Sequence, residues 1–477
     1  KRIQMANIID YPTFEGRSTF LGAFGNELAI RQDTTLSKEE KEKRIAELYR
    51  NIKNEAEIID FYSFYKINKV YNNYSSLSKK WWDPGKYFEA FFKQLGIACK
   101  TYDGIIQLAI MVNPYFHFDY EAEESSLNDS LRNIFSHANP KSLEVLKRVL
   151  KIGLDNGAKT VMLCADDFVP HEGSTRGIYT LYNSDDKKHF INLAHAHLHL
   201  LTQLQKWFSQ QYGMIRLEFC PPAYLNQFID YSMGSAEAYF RDLSSHLDTS
   251  VAIVWTGNTV RSLAYDHVDI WRYTSHIKRK PMIWDNTLYA RSLSGAYGGY
   301  PAHYPGKAVM CSLFEPYDIS YPDDFDKLID GHYYANLNGS TELGKIQYLT
   351  FADFTWNIKS YNPDFSIYKS LVKMVGKEHA IQLLTFNDSY FQLVSVWAKI
   401  RNEKKHAPKN AEYIIPRELT QKADLLIEQL KNDFSKLQTM ENEKLKKELN
   451  DRMEKLFQDY ENLLKSSKIQ NQGHLQT

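Results

Sequence analysis

The sequence predicts an α/β fold in which a (β/α)8 TIM barrel is followed by an α-helical bundle. Short apolar runs alternate with amphipathic, helix-length segments over about the first 340 residues, and only helical patterns follow after about residue 350. Strands that alternate with helices indicate parallel βαβ units, and eight such units fit a closed barrel. We therefore expect a barrel over residues 1–350 and a helical bundle over residues 351–477.

The strands are expected at mostly apolar runs that end in a turn or a polar segment. Continuous apolar runs are typical of strands buried on both faces, as in a parallel sheet. The expected strands cover residues 6–14, 67–71, 104–112, 161–165, 215–219, 251–255, 281–284 and 332–336. The fourth run leads directly into Asp166 and Asp167, so two adjacent carboxylates follow one strand.

Helices are expected where apolar residues recur at steps of three and four. Ser37 is a fitting N-cap for the first helix, with Glu40 three residues on to close a capping box. The expected helices cover residues 37–59, 87–95, 142–154, 190–210, 236–246, 268–276, 325–329 and 351–400. Two further amphipathic helices are predicted from the apolar stripes Leu419, Ala423, Leu426, Leu430, Phe434 and Leu445, Leu449, Met453, Leu456, Tyr460, Leu463.

Composition limits the kinds of partner. The 477 residues include 58 basic and 58 acidic side chains, whereas nucleic-acid binding needs a clustered basic surplus. No stretch reaches the ~18–20 apolar residues of a membrane span, and the four cysteines lack zinc-ligand spacing. We expect no nucleic-acid partner, no membrane span, no metal and no cofactor. The oligomeric state and the compartment stay open, with a slight preference for a secreted or periplasmic location.

Asp166 and Asp167 are the candidate catalytic residues, because barrel enzymes carry their chemistry at the C-terminal ends of strands. Neighbouring residues on an extended chain point in opposite directions, so the two need not do the same job. Two close carboxylates cannot both ionise easily, so one of them can serve as an acid at neutral pH. Alternatively, the pair caps the next helix, or both residues bind Mg²⁺.

Six separate segments carry a family resemblance. They are residues 164–168 (Cys-Ala-Asp-Asp-Phe), 194–197 (Ala-His-Ala-His), 219–224 (Phe-Cys-Pro-Pro-Ala-Tyr), 254–257 (Val-Trp-Thr-Gly) and 283–286 (Ile-Trp-Asp-Asn), and Asn336 followed by Glu342. In this order they resemble glycoside hydrolase family 84, the β-N-acetylglucosaminidases that include protein O-GlcNAcases and hyaluronidase-like members. All but the helical segment lie at C-terminal strand ends.

The resemblance implies retaining, substrate-assisted removal of β-linked N-acetylglucosamine, or of a related 2-acetamido sugar, from a glycan or glycoprotein. The sugar's own acetamido oxygen would attack the anomeric carbon and form an oxazoline. Asp166 would hold the acetamido N–H, and Asp167 would protonate the leaving oxygen and later deprotonate water. Tyr224 would donate a hydrogen bond to the acetamide oxygen. The remaining implied substrate contacts are Gly16, Trp255, Thr256, Trp284, Asn286, Asn336 and Arg291.

Several of these residues also have a purely structural interpretation. Tyr224 follows two prolines and would order a loop, Trp255 and Trp284 would belong to the core, and Asn286 would cap a helix. His195 and His197 lie two apart on a helix, face different ways and are interpreted as packing residues.

Three positions depart from the family pattern. Residues 13–16 (Thr-Phe-Glu-Gly) stand for Gly-Phe-Tyr-Gly after strand one, and residues 71–74 (Tyr-Asn-Asn-Tyr) stand for Lys-Asp-Asp after strand two. Arg291 replaces an Asp that grips sugar hydroxyls, which exchanges acceptors for donors. Changes at Glu15, Tyr74 and Arg291 keep open a different sugar, and also a non-catalytic glycan-binding protein on the same barrel.

Overall fold

The computed structural model describes residues 11–21, 27–72, 81–82, 84–115, 135–166, 181, 184–287, 313–336, 341–407 and 413–469. These residues form two compact units. The first contains the described residues up to Asn286, with Ile319–Asn336 and Thr355–Lys359, and the second contains the other described residues. A domain boundary at residue 350 stays a prediction.

A closed barrel of eight parallel strands forms the centre of the first unit, and each strand pairs with the next until β8 pairs with β1. The strands are β1 Gly16–Leu21, β2 Lys69–Asn72, β3 Gln107–Val112, β4 Thr160–Cys164, β5 Arg216–Cys220, β6 Ala252–Trp255, β7 Met282–Asp285 and β8 His332–Ala335. The predicted (β/α)8 class is confirmed, and every predicted strand except the first overlaps an observed one.

The predicted first strand, residues 6–14, is wrong over its described part, residues 11–14, and residues 6–10 lie outside the described residues. Residues 11–15 are irregular, and the strand begins at Gly16. Thr13 and Phe14 donate their backbone N–H groups to the carbonyls of Trp356 and Thr355, at 2.7 and 3.2 Å, and not to a neighbouring strand. The observed strand reads Gly-Arg-Ser-Thr-Phe-Leu. Because half of it is polar, a search for apolar runs passes over it.

Helices follow most of the strands, as predicted. They are α1 Glu27–Gln32, α2 Lys38–Phe64, α3 Gly85–Thr101, α4 Pro140–Asp155, α5 Ser184–His189, α6 Leu193–Gln211, α7 Asn226–Tyr231, α8 Ser235–Ser244, α9 His267–Ile277 and α10 Phe325–Leu328. The side chain of Ser37 accepts from the backbone N–H of Glu40 at 3.1 Å, which confirms the predicted N-cap. The three unpredicted helices, α1, α5 and α7, have six residues each, too few to show a helical period.

Alternate residues of the strands point into the barrel. Towards the C-terminal ends of the strands this interior is an apolar and aromatic cluster that includes Tyr71, Cys164, Cys220, Tyr224, Trp284 and Tyr334. One layer closer to the N-terminal ends, Glu218 is fully buried and accepts from Tyr71, Lys69 and Arg216 at 2.6, 3.3 and 2.8 Å. Burial alone would raise the pKa of Glu218, but the charges of Lys69 and Arg216 outweigh it and lower the pKa.

The C-terminal part of the chain is helical, as predicted. It contains α11 Glu342–Trp356, α12 Pro363–His406, α13 Arg417–Lys436 and α14 Glu443–Lys465, with a small parallel sheet of β9 Ile414–Ile415 and β10 Lys468–Ile469. Within α12, Gly376 has a non-helical φ of 80° and interrupts the helix. The predicted stripes of α13 and α14 are largely buried in the core of the second unit. Across the described helices, none combines the length and apolar character needed to cross a membrane.

Candidate active site

Asp166 lies at the barrel mouth, which we define as the rim formed by the C-terminal ends of β1–β8. It follows β4 by two residues and is 7% exposed. Asn113, the residue after β3, donates from Nδ2 to Oδ1 and to the backbone oxygen of Asp166, at 3.0 and 3.1 Å. β3 and β4 are adjacent, so both side chains reach the same part of the rim. Asp167 lies outside the described residues, and its placement stays a prediction.

Two of the predicted aromatic residues belong to the interior cluster of the barrel. Trp284, on β7, contacts Tyr334 edge-on with 4.9 Å between ring centroids. Tyr224 belongs to the same interior cluster and packs edge-on against Phe228, at 5.3 Å. Both predicted residues are 6% exposed. The structure thus brings Tyr224 and Trp284 into one cluster, and their contacts with a sugar stay predictions.

Asn286 and Asn336 form a hydrogen-bonded amide pair beside Trp284. The Oδ1 atom of Asn286 accepts from Trp284 Nε1 and from Asn336 Nδ2, both at 2.9 Å. Asn286 also donates from Nδ2 to the carbonyl of Val260 at 2.9 Å. Asn286 is buried, whereas Asn336 is partly exposed. Asn336 is therefore the better placed of the two to meet a sugar hydroxyl, while Asn286 holds it in position.

Trp255 does not line the mouth, contrary to the prediction. Val254 belongs to the interior cluster, so its neighbour Trp255 points the opposite way, out of the barrel. The Trp255 ring is fully buried, stacks on Tyr273 of α9 with 5.5 Å between centroids and lies against Tyr265 at the same distance. The core interpretation is correct for this tryptophan.

Thr256 orders the loop after β6. Its hydroxyl donates to the carbonyl of Thr259 at 2.9 Å, and its backbone N–H donates to the carbonyl of Tyr224, also at 2.9 Å. This second bond ties the loop that carries Tyr224 to the end of β6. A direct contact of Thr256 with substrate stays a prediction.

Gly16 is the second correction. It begins β1 and therefore lies at the opposite end of the barrel from the mouth. A Cβ atom at Gly16 would overlap the imidazole of His332, its partner in β8, which explains a glycine there without a ligand. Residues 13–16 therefore precede β1 and do not correspond to the family's Gly-Phe-Tyr-Gly motif, which follows strand one.

Of the other positions that depart from the family pattern, Tyr74 and Arg291 lie outside the described residues, whereas Glu15 is described. The segment that follows β1 in the sequence is residues 22–25 (Gly-Ala-Phe-Gly), which is the proper stretch to compare with Gly-Phe-Tyr-Gly. Neither this segment nor Tyr74 and Arg291 is described. Glu15 is exposed, and its carbonyl accepts from Asn68 Nδ2 at 2.7 Å near the start of β1. Glu15 is thus not part of the mouth.

Two features of the site were missed from the sequence. Asn113 could have been found, because it directly follows the apolar run of the third predicted strand, just as Asp166 follows the fourth. The buried Glu218 and its cations could not, because Lys69 and Tyr71 lie on β2, far from Glu218 in the sequence. A search for apolar runs also gives no weight to Arg216, two residues before Glu218 on β5. His197 is fully buried, and its Nδ1 lies 2.7 Å from the hydroxyl of Tyr239, in agreement with a packing role. Burial, followed by the charge of His137, lowers the pKa of His197 well below its usual value.

Among the described residues, no group of three or more His, Cys, Asp or Glu side chains could hold a metal ion.

A family model described as beta-N-acetylglucosaminidase matches residues 74–289. The match includes Asp166, Tyr224, Trp284 and Asn286. Over this region, which is just under half of the chain, the sequence is similar to glycoside hydrolase family 84. The family that the strand-end motifs predicted is thereby confirmed.

The chain is also similar to named relatives and to a solved structure. The Protein O-GlcNAcases of Rattus norvegicus and Mus musculus are each 28% identical to the chain over 149 residues, which are 31% of this chain and 15% of each relative. The matched segment is thus a small part of the length of these relatives. A solved structure of a mutant Thermobaculum terrenum O-GlcNAc hydrolase gives a TM-score of 0.64 at 17% identity, covering 94% of this chain and 83% of that one. At that identity the likeness shows the fold.

Proposed function

We propose that the chain is a β-N-acetylglucosaminidase that hydrolyses a β-linked 2-acetamido sugar of a glycan or glycoprotein with retention of configuration. The observation that carries the proposal is the position of Asp166. It lies at the mouth of the closed barrel, beside the Asn113 donor and on the same rim as Trp284, Asn286 and Asn336. Similarity to family 84 supports the choice of sugar.

In the first half of the proposed reaction, the acetamido oxygen of the sugar attacks its own anomeric carbon. The bond from that carbon to the leaving oxygen breaks, and Asp167 supplies the proton that the leaving oxygen takes up. The product is an oxazoline fused to the sugar. Asp166 accepts a hydrogen bond from the acetamido N–H and balances the positive charge that develops there, and Tyr224 orients the oxygen.

In the second half, water attacks the anomeric carbon and Asp167 removes its proton. The oxazoline opens and the acetamide is restored, so the two inversions give net retention. Trp284 walls the sugar, and Asn336, held by Asn286, binds a hydroxyl. This scheme differs from the usual retaining glycosidase, in which a second carboxylate is the nucleophile.

The proposal is tested with an aryl N-acetyl-β-glucosaminide and the native chain, Asp166→Asn, Asp167→Asn and the control Asp155→Asn. Asp155 is an exposed carboxylate on α4 that pairs with Lys151. We expect turnover by the native chain and the control, and a loss of about a hundredfold or more in both Asp166→Asn and Asp167→Asn. Absence of turnover, with no inhibition by an oxazoline mimic, would contradict the proposal. Sugar binding without product would identify a non-catalytic glycan-binding protein.

A further inference from the structure

The amide of Asn113 has a defined orientation. Its Oδ1 atom accepts from the backbone N–H of Tyr115 at 2.9 Å. A backbone N–H can only donate, so the atom that faces it must be the amide oxygen. The NH2 group must then face Asp166, where it lies 3.0 Å from Oδ1 and 3.1 Å from the backbone oxygen. Asn113 is 2% exposed, so water does not compete freely for these bonds.

Tyr115, whose N–H orients Asn113, is itself fixed by a hydrogen bond to His137. The hydroxyl of Tyr115 lies 2.7 Å from His137 Nε2, and His137 Nδ1 lies 2.7 Å from Asp186 Oδ2. Asp186 also accepts from the hydroxyl of Ser136 and from the backbone N–H groups of His137 and Ala138. A carboxylate with these donors is an acceptor only, so His137 donates from Nδ1 to Asp186. The Tyr115 hydroxyl forms the other bond of the ring, with Nε2.

The hydrogen-bonded series Tyr115–His137–Asp186 is buried, and its interactions favour the ionised form of Asp186. Burial alone would raise the pKa of Asp186, but hydrogen bonds and charge from His137, with the Ala138 N–H, outweigh it and lower the pKa. The Tyr115 ring stacks on His137 with 5.7 Å between centroids and meets Phe135 edge-on at 5.8 Å. Tyr115 therefore has little freedom to move, and neither has the amide that its N–H orients.

We propose that Asn113 is a positioning residue that fixes the carboxylate of Asp166 to receive the acetamido N–H of the sugar. The inference rests on the proposed function. The terminal torsion of an aspartate is broad and ill defined on its own, and a misplaced acceptor loses most of its value in the transition state. Two bonds from one NH2 group, to Oδ1 and to the backbone oxygen of the same residue, remove that freedom. A donor that faces a carboxylate also favours its ionised form, which is the form that accepts the N–H.

The test begins with Asn113→Asp, which keeps an oxygen for the Tyr115 N–H, removes the donor to Asp166 and places a second carboxylate beside it, so it opposes the ionised form of Asp166 in two ways. We expect kcat to fall by about tenfold to a hundredfold, the range for losing a hydrogen bond to a charged group, while KM changes little. Asn113→Ser is the second variant, and thermal unfolding shows that each variant is folded. The matched control is Asn387→Ser in the second unit, where the amide also bonds backbone on both sides, to Leu313 N and Phe314 O. The control should lose stability and keep kcat.

A double-mutant cycle separates positioning from a general effect on the fold. The dissociation constant of an oxazoline mimic is measured by calorimetry for the native chain, Asn113→Ser, Asp166→Asn and the double variant. If Asn113 acts through Asp166, its substitution weakens binding in the native background and has no effect once Asp166 is changed. Losses that simply multiply, or an unchanged kcat in both Asn113 variants, would overturn the inference. Failure of the native chain both to turn over substrate and to bind the mimic would overturn the proposed function itself.

Discussion

Two tryptophans lie near the C-terminal ends of neighbouring strands, Trp255 on β6 and Trp284 on β7, and the same substitution at each should have different consequences. Trp284 points into the mouth and donates to Asn286 at 2.9 Å, whereas Trp255 points outwards and stacks on Tyr273. The Nε1 atom of Trp255 is buried with no hydrogen-bond partner among the described residues. Replacing each with Phe therefore removes a hydrogen bond in one case only.

The magnitudes follow from these contacts. Trp255→Phe leaves a small void between β6 and α9, which should lower the free energy of unfolding by about 1–2 kcal/mol. Trp284→Phe removes a comparable volume and also a buried hydrogen bond, which adds about 1 kcal/mol. It also releases the amide pair of Asn286 and Asn336, so we expect kcat/KM to fall by at least about tenfold.

The assay compares kcat/KM on an aryl N-acetyl-β-glucosaminide with urea unfolding of the same two variants. We expect Trp255→Phe to keep the native kcat/KM in spite of its lower stability. An equal loss of kcat/KM in the two variants, at equal fractions folded, would refute the assignment of one tryptophan to the mouth and the other to the core.

Three further predictions follow from the structure. Gly16→Ala should lower the free energy of unfolding by about 1–3 kcal/mol, because the added methyl overlaps His332; urea unfolding that is unchanged would contradict this packing. Asp186 has a lowered pKa, relative to 3.8, so its contribution to stability is present above that value and is lost as the pH falls through the lowered pKa. Unfolding measured from pH 7 down to about pH 2 should therefore show a smaller acid loss in Asp186→Asn, and an identical acid loss would count against the buried network. Asn336→Ala should lower kcat/KM by about tenfold, because Asn336 is the exposed member of the amide pair, and a smaller effect than that of Asn286→Ala would reverse their roles.

The barrel could be predicted because buried parallel strands are largely apolar runs, and β3, β4, β6 and β7 have this character. β1 could not, since Arg17, Ser18 and Thr19 break its apolar run. Arg17 is nonetheless buried, with its guanidinium donating to the carbonyls of Lys66 and Phe14 at 2.5 and 2.7 Å. A pattern of apolar residues does not indicate which polar side chains will find hydrogen-bond partners in distant parts of the chain.

The positions of the candidate site residues near strand ends could be predicted, but the direction of each side chain could not. Asp166, Trp284 and Asn286 lie where their positions after strands indicate. The predicted position of Trp255 at the mouth is wrong. Adjacent residues of a strand face opposite ways, so an error of one residue moves a side chain from the barrel interior to the outer core. Asn113 was overlooked although it occupies the same position after β3 that Asp166 occupies after β4.

The central claim is that the sugar's own acetamide is the nucleophile and that Asp166 holds it. The most direct measurement is the rate for aryl β-glycosides whose 2-acyl group carries zero, one, two or three fluorine atoms. Fluorine withdraws electrons from the acetamide oxygen, so we expect kcat/KM to fall steeply with each atom, and the slope to flatten in Asp166→Asn as unassisted hydrolysis takes over. A native rate that is independent of fluorination would contradict the account.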